Sequence, residues 1–337
     1  MVSSEPGQSV ATQAPAHARV RFRIARTAMY APPRIETAEA LAPRIGRTAE
    51  WIASRTGVLE RRVSDVSMAE MAAHAAREAL GGERPDLILN ASLTPIQLIP
   101  DSSVFIQEAL GFSGIPSFSV HATCLSFITA LNTAGAYVQT GLYRRVLVVS
   151  AEQGSVCRDF SNPESAALIG DGAAAAVIEP TDDPGCGVLG FAMRTYPEGA
   201  AYTELRGCGT RRNPNDPHTV PEDNLFQMNG PRVYRMAFSH ADEVLDEAFD
   251  AAGLERSDID VVVAHQASGP MIAAIPRFGF PAEKVIDLIP TFGNCIAASV
   301  PMALAQAQAT GRLERGHTVL MFGTGAGLSM AASILRY

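Results

Sequence analysis

Two stretches of this chain follow one plan. Ala122-Thr123-Cys124 opens a helix-like run of small and apolar residues that stops at Thr140-Gly141 and gives way to an apolar strand, Val146 to Val149. Gly293-Asn294-Cys295 opens a second such run, which stops at Thr310-Gly311 before a strand at 318–322. The parallel extends outward. The acidic residue, strand and small polar turn of Asp86 to Ser92 match Asp260 to Ser268, and Gly170-Asp171-Gly172 before a strand matches Gly323-Thr324-Gly325 before another. The offset between copies is 171 at the helix starts and 153 at the glycines, so the first half carries about 17 extra residues within 151–169. A repeat this long implies two similar α/β lobes related by a pseudo-twofold axis, which brings equivalent elements together. Cys124 and Asn294, at the starts of the two central helices, and His265, at a strand end, are then expected to converge.

That convergence changes how each residue reads. An isolated cysteine is most simply a small packed hydrophobe. At a helix N-terminus, unpaired N–H groups and the positive end of the dipole favour its thiolate. Asn294 alone reads as a helix cap and His265 as a satisfied strand-end histidine. Falling at expected places in a repeat that contains Cys124, the three are poorly explained by those separate readings taken jointly. Cys295 reads as a small packed residue.

With 47% hydrophobic and 18% charged residues, the 337-residue chain must bury much of itself in packed layers. We divide it into a loose N-terminal tail, 1–18, and two lobes, 19–186 and 187–337. The tail is polar and lacks the basic start and apolar centre of a signal peptide. A net charge of −8 argues against nucleic acid as a partner, and no apolar stretch reaches membrane-span length uninterrupted. The five cysteines, at 124, 157, 186, 208 and 295, lack metal-site spacing and suit a reduced, cytoplasmic setting. Locally, 19–27 reads as a strand, 36–56 as helices around Trp51, Arg61-Arg62 as a solvated pair on a strand edge, and 68–81 as a helix with a glycine stop. Residues 195–225, with Arg211, Arg212 and His218, read as a long surface loop before a helix at 233–252.

Seven strings occur in collinear order between about 19 and 337: WIASRTGVLERR from Trp51 to Arg62, Ala122-Thr123-Cys124, IGDG ending at Gly172, Met228-Asn229-Gly230, His265-Gln266-Ala267, GNCIAAS from Gly293 to Ser299, and FGTG from Phe322 to Gly325. Together they resemble β-ketoacyl-ACP synthase III. The resemblance implies an α/β fold, the five-layered α-β-α-β-α thiolase fold of two pseudo-duplicated lobes, working as a homodimer without metal or redox cofactor on coenzyme A or phosphopantetheine thioesters. It implies Cys124 as nucleophile, His265 and Asn294 as its partners, and backbone N–H groups of Cys124 and Thr324 as the oxyanion hole. Trp51, Arg55, Ile99, Asp101, Asn229, Ser268 and Phe322 are implied around the substrate, which arrives as acyl-CoA or on acyl carrier protein. The chemistry expected is acyl transfer to Cys124 followed by Claisen condensation with a malonyl or other acyl thioester.

The sequence also departs from that pattern. Pro163 stands where the family has an arginine that stacks on adenine, Ser268 closes the HQAN string, Pro270 follows it in place of a basic residue, and only Arg277 remains of a basic patch for the carrier. An aromatic residue at the pocket floor is replaced near Ile99. These changes point to a relative from a specialised pathway. Non-decarboxylative head-to-head condensation, with Asp101 as the nearest acidic base, acyl transfer to a hydroxyl or amine, and an inactive partner subunit stay open as alternatives.

Overall fold

The computed structural model describes residues 19–337 apart from residue 208, so the tail 1–18 and Cys208 lie outside the described residues. The first half runs β1 (Arg23–Tyr30), β2 (Ile35–Thr37), α1 (Ala38–Leu41), α2 (Ala49–Thr56), β3 (Glu60–Arg62), α3 (Met68–Leu80), β4 (Leu87–Asn90), α4 (Ser102–Leu110), β5 (Ser117–Ser119), α5 (Ser126–Gln139), β6 (Val146–Gln153), α6 (Pro163–Leu168) and β7 (Asp171–Glu179). The second runs β8 (Gly187–Thr195), β9 (Thr203–Glu204), β10 (Gln227–Met228), α7 (Gly230–Ala252), β11 (Val261–Ala264), α8 (Gly269–Ala274), α9 (Ile289–Phe292), α10 (Ser299–Ala309), β12 (Thr318–Gly325) and β13 (Ser329–Arg336).

The two main sheets have strand orders β1-β7-β6-β4-β5 and β8-β13-β12-β11. In the first, β4 and β6 are parallel while β6–β7 and β7–β1 are antiparallel; in the second, β11 and β12 are parallel while β12–β13 and β13–β8 are antiparallel. An isolated parallel bridge, Val262 to Val285, occupies the place of β5 in the second sheet. The duplication read from the sequence is therefore a duplication of topology.

Both sheets are buried on both faces, which explains the nearly continuous apolar runs of their strands. Side chains alternate along each strand. Val146 and Val148 of β6, and Val319 and Met321 of β12, turn inward to a shared core with Phe127 and Leu131 of α5 and Val300 and Leu304 of α10. Leu147 and Val149 face the other way, onto α3 and α4. Leu320 and Phe322 face α7. The layers are thus helices, sheet, the central pair α5 and α10, sheet, and helices, the five-layered thiolase fold.

Local signals set the outer elements. Ser67 and Glu70 form a capping box at the start of α3, and Gly81 ends it in the left-handed conformation. Strand β1 begins later than expected and runs to Tyr30, because β7 pairs with it through Tyr30 and Ala173. Helix α7 starts at Gly230, three residues ahead of the expected start, with Asn229 as its N-cap and Pro231 in the first turn. The surface stretch between β8 and α7 is pinned by Asp223, buried and paired with Arg206 at 3.0 Å and Arg212 at 3.6 Å.

Arg61 overturns its reading as a solvated residue. Its side chain is fully buried, 3.3 Å from the Glu36 carboxylate and 2.8 Å from the Ala167 carbonyl to which it donates. Glu36 also binds Arg158, and Arg44 at 2.9 Å. Burial pulls the Arg61 guanidinium down to about 10, against the support of Glu36, so it stays charged at neutral pH. Burial opposes ionisation of Glu36 too, but Arg158 and Arg61 hold its carboxyl below the usual carboxylate range. The cluster fastens the antiparallel pair β2–β3 to the segment ahead of β7, and so holds α2 and α6 side by side. Glu36→Ala leaves two buried guanidiniums without their counter-charge and is expected to destabilise the protein by about 3–5 kcal/mol, measured by urea unfolding. Because the folded pKa of Glu36 is depressed, this contribution is present above the ordinary glutamate pKa and fades as pH falls through the folded value.

Candidate functional site

Cys124 lies in the turn between β5 and α5, two residues ahead of the helix rather than in its first turn. The Ser126 hydroxyl locks that turn, donating to the Thr123 carbonyl at 2.6 Å and accepting the Ala122 N–H at 3.0 Å. Thr123 has φ of +53°, a strained value for a β-branched residue. Strain of this kind, next to a half-buried thiol, marks a turn held by its surroundings.

The surroundings are the end of β12. A Cβ placed on Gly325 would lie 2.3 Å from Thr123 Oγ1, and one on Gly323 would lie 2.6 Å from His265 Cβ. Only glycine allows β12 to run between the cysteine turn and the histidine. Directly after it, the Ala326 N–H faces the Cys124 sulfur, as does the N–H of Cys124 itself. Thr324, the expected second donor to an oxyanion, lies within β12 opposite Met330. The donor that meets the sulfur is two residues further on, where the strand has ended and its N–H is free to turn inward.

His265 follows β11 and is 6% exposed; its N–H donates to the Phe322 carbonyl at 2.8 Å. Its Nδ1 is buried without a hydrogen-bond partner, and burial lowers the imidazole to about 4, so it is neutral at physiological pH. Gln266 braces this turn. Its amide donates to the carbonyls of Ala264 (2.9 Å) and Ile286 (3.0 Å) and accepts the Leu288 N–H (2.7 Å). The sequence contained Gln266 within a motif, but its role is visible only from partners about twenty residues away.

Asn294 is held between the lobes. Its N–H donates to the Leu168 carbonyl at 2.8 Å and its carbonyl accepts the Gly170 N–H at 3.1 Å. Its side-chain oxygen accepts the Ile296 N–H at 2.8 Å, the local cap, while Nδ2 donates to the Ala267 carbonyl at 3.2 Å, two residues past His265. An amide nitrogen has two hydrogens, so this bond aims the carboxamide and leaves a second donor. The histidine turn, the asparagine loop and the cysteine turn thereby meet around the end of β12.

The other expected residues divide into two groups. An entrance cavity of about 420 Å³ is lined by Arg55, Glu164, Tyr234, Arg235, Ser268 and Met271 among others. Arg55 donates to Glu164 at 2.8 Å, and Arg47 lies over the half-buried Trp51 ring at 5.2 Å. Arg235 places a cation on this rim, where Pro163 cannot. A smaller apolar cavity adjoins through Ala267 and Met271 and reaches His265, Phe322 and Thr324. Asn229 caps α7 beside the entrance, between Met228 and Gly230. Ile99, 85% exposed, and Asp101 lie on the protomer surface away from both cavities. Asp101 caps α4, accepting the Ser103 N–H at 2.9 Å. Burial works against its ionisation, but bonds from Ser103 and Ser119 prevail and hold its carboxyl low, the opposite of a poised base.

The buried carboxyl at the site is one the sequence did not single out. Glu152, at the end of β6, is fully buried, and burial raises it to about 7 against several hydrogen bonds. Burial first, and the Glu152 charge second, push the Cys124 thiol up to about 12, against the two N–H donors. The resting Cys124 side chain is therefore a thiol, burial and the Glu152 charge outweighing the N–H groups that favour a thiolate. Alkylation of Cys124 by iodoacetamide is expected to rise about tenfold per pH unit between about pH 7 and about pH 9 without levelling, read by peptide mass mapping; a plateau near neutrality would show the thiolate already formed.

Comparison with known proteins agrees with this geometry. The family model described as 3-oxoacyl-[acyl-carrier-protein (ACP)] synthase III matches residues 118–197, and that of its C-terminal part matches residues 249–337. The chain is 36% identical over 328 residues to β-ketoacyl-[acyl-carrier-protein] synthase III of Erythrobacter litoralis, covering 94% of this chain and all of that one. The crystal structure of 3-oxoacyl-[acyl-carrier-protein] synthase III from Aquifex aeolicus superposes with a TM-score of 0.85 at 31% identity, covering 94% of this chain and 100% of that one. The priming β-ketosynthase from the R1128 polyketide biosynthetic pathway gives 0.86, also at 31% identity, covering 94% and 96%. With its topology duplicated, its cysteine, histidine and asparagine loops gathered at one strand end, and relatives this similar along almost their whole length, the chain belongs to the β-ketoacyl-[acyl-carrier-protein] synthase III family.

Proposed function

We propose that this protein transfers an acyl group from a thioester to Cys124 and joins it by Claisen condensation to a malonyl or other acyl thioester, in fatty-acid or polyketide-type biosynthesis. The observation that carries this reading is the approach of one strand end, Gly323 to Ala326, to both the nucleophile turn and His265. In the first half-reaction Cys124 sulfur bonds to the acyl carbonyl. The oxyanion is bound by the N–H groups of Cys124 and Ala326, and collapse expels the carrier thiolate, which takes up the proton the cysteine gave up.

In the second, the carbonyl oxygen of the incoming malonyl thioester accepts hydrogen bonds from neutral His265 and from Asn294 Nδ2. Its C–COO bond breaks and CO2 leaves, with the electron pair held as the enolate. The α-carbon then attacks the acyl thioester, and collapse expels the Cys124 thiolate and releases a β-ketoacyl thioester. A histidine lowered to about 4 suits this role, because it donates a hydrogen bond without delivering a full proton. The low carboxyl of Asp101 weighs against head-to-head condensation driven by that residue.

The entrance suits a phosphopantetheine arm from coenzyme A or acyl carrier protein, with Arg55 and Arg235 at its rim. The replaced residues at 163, 268 and 270 favour a specialised-pathway substrate. A homodimer along β5 is supported by the open outer edge of that strand and by exposed Phe118, Leu98 and Ile99 beside it.

Cys124→Ala is expected to gain no acyl mass from acyl-CoA or acyl-carrier thioesters in intact-mass analysis. His265→Ala and Asn294→Ala are expected to acquire the acyl group but to form the carbon–carbon bond at least about 100-fold more slowly; full condensation activity in either removes that residue from the mechanism. The double variant Ile99→Asp with Phe118→Asp is expected to sediment as a monomer where the unaltered protein sediments as a dimer.

A further inference from the structure

The condensation described above makes no use of Glu152, yet this carboxylate is bound on several sides. It accepts the Leu93 N–H, the Thr94 N–H at 3.2 Å, the Thr94 hydroxyl at 2.6 Å and the Ala297 N–H. Leu93 and Thr94 lie in the turn after β4; Ala297 lies three residues past Asn294. Leu93 and Phe226 pack, as Cys124 does, against the small apolar cluster of Ile169, Ile296 and Ala297. One carboxylate therefore ties together two walls of the space around the nucleophile, one from each lobe of the repeat.

We propose that Glu152 is a positioning residue that fixes the width of the acyl pocket, holding the Leu93–Thr94 wall and the Ile296–Ala297 wall at a set distance and so selecting the acyl chains that Cys124 accepts. This rests on the reading that Cys124 carries the acyl group. The geometry requires a carboxylate and not merely a polar residue. Four donors converge on it, and an amide offers one oxygen to them while turning an NH2 group toward N–H donors. A carboxamide at 152 leaves one wall unbonded in a buried place, and that wall must move.

The same group acts on the nucleophile through charge. Glu152 is the charged residue that raises the Cys124 thiol, and it raises the buried Cys295 thiol as well, together with Asp171. Clamp and charge can be separated: Glu152→Gln removes the charge and part of the clamp, Glu152→Asp keeps the charge but withdraws the carboxylate, and Thr94→Val removes one clamp donor and leaves the charge in place.

The test compares these three variants with the unaltered protein, each checked for folding by thermal unfolding. Two readouts are taken: acyl mass gained on Cys124 from a series running from acetyl-CoA to decanoyl-CoA, and the rate of Cys124 alkylation by iodoacetamide at neutral pH. The relative acylation rates of short and long chains are expected to change at least about tenfold in all three variants. Alkylation is expected to quicken severalfold in Glu152→Gln alone. If the unaltered protein is acylated and the folded variants keep its chain-length profile, the proposal is overturned while the thioester reading stands. If the unaltered protein acquires no acyl mass from any thioester, the underlying reading fails. Should Glu152→Gln not fold, Glu152→Asp and Thr94→Val decide the matter by the same profile.

Discussion

The close approach of β12 to two separate loops is the contact on which the site depends. Two glycines, 323 and 325, let a buried strand lie against the Cβ of His265 and the side chain of Thr123. A side chain at 325 would push apart groups from different lobes, and one at 323 would push His265 away from the strand. The approach is rigid because β12 sits between β11 and β13, bonded along its whole length and buried on both faces. A site built at the end of such a strand inherits the strand's precision, and the free N–H of Ala326 becomes available only because the ladder stops there.

Around this contact the structure balances charge against burial. The nucleophile turn lies among apolar residues and beside Glu152, and both raise the thiol, while two N–H groups oppose them. The histidine is kept neutral by burial alone. In the proposed condensation a neutral imidazole and a carboxamide act as donors to a developing enolate, and N–H groups at the end of a strand and at a helix entrance act on a developing oxyanion. Such a site would stabilise negative charge as it forms, with no permanent cation among the described residues placed beside Cys124, His265 and Asn294. The arginines sit outside it, at the entrance and in the Glu36 cluster.

Much of this was legible in the residues. The duplication showed itself because each copy repeats an acidic residue, a strand, a glycine stop and a helix at nearly constant offsets. Cys124, His265 and Asn294 stood out because side chains of distinct chemistry fell at matched points of that repeat. Arg61 was misread because its partners, Glu36 and the Ala167 carbonyl, lie 25 and 106 positions away and nothing nearby signals them. The Ala326 donor to the sulfur was missed because a backbone N–H carries no side-chain signature. Glu152 was missed because an acidic residue at the end of an apolar run reads as a strand entering solvent, and the exposure of the turn that holds Ile99 and Asp101 shows only once the chain is folded.

The sequence by itself determined the repeat, the layered α/β class, and the three side chains able to carry a nucleophile and two hydrogen-bond donors. The repeat and the class follow from periodicity and residue chemistry, and the roles of the three side chains from motifs that resemble those of a known family; all are properties of the chain. The tertiary structure alone decided which backbone N–H meets the sulfur, that the resting cysteine is a thiol and the histidine neutral, and which carboxyl lies beside them. Such quantities depend on distance, burial and the direction of a peptide group, and these come into being only when segments far apart in sequence pack together.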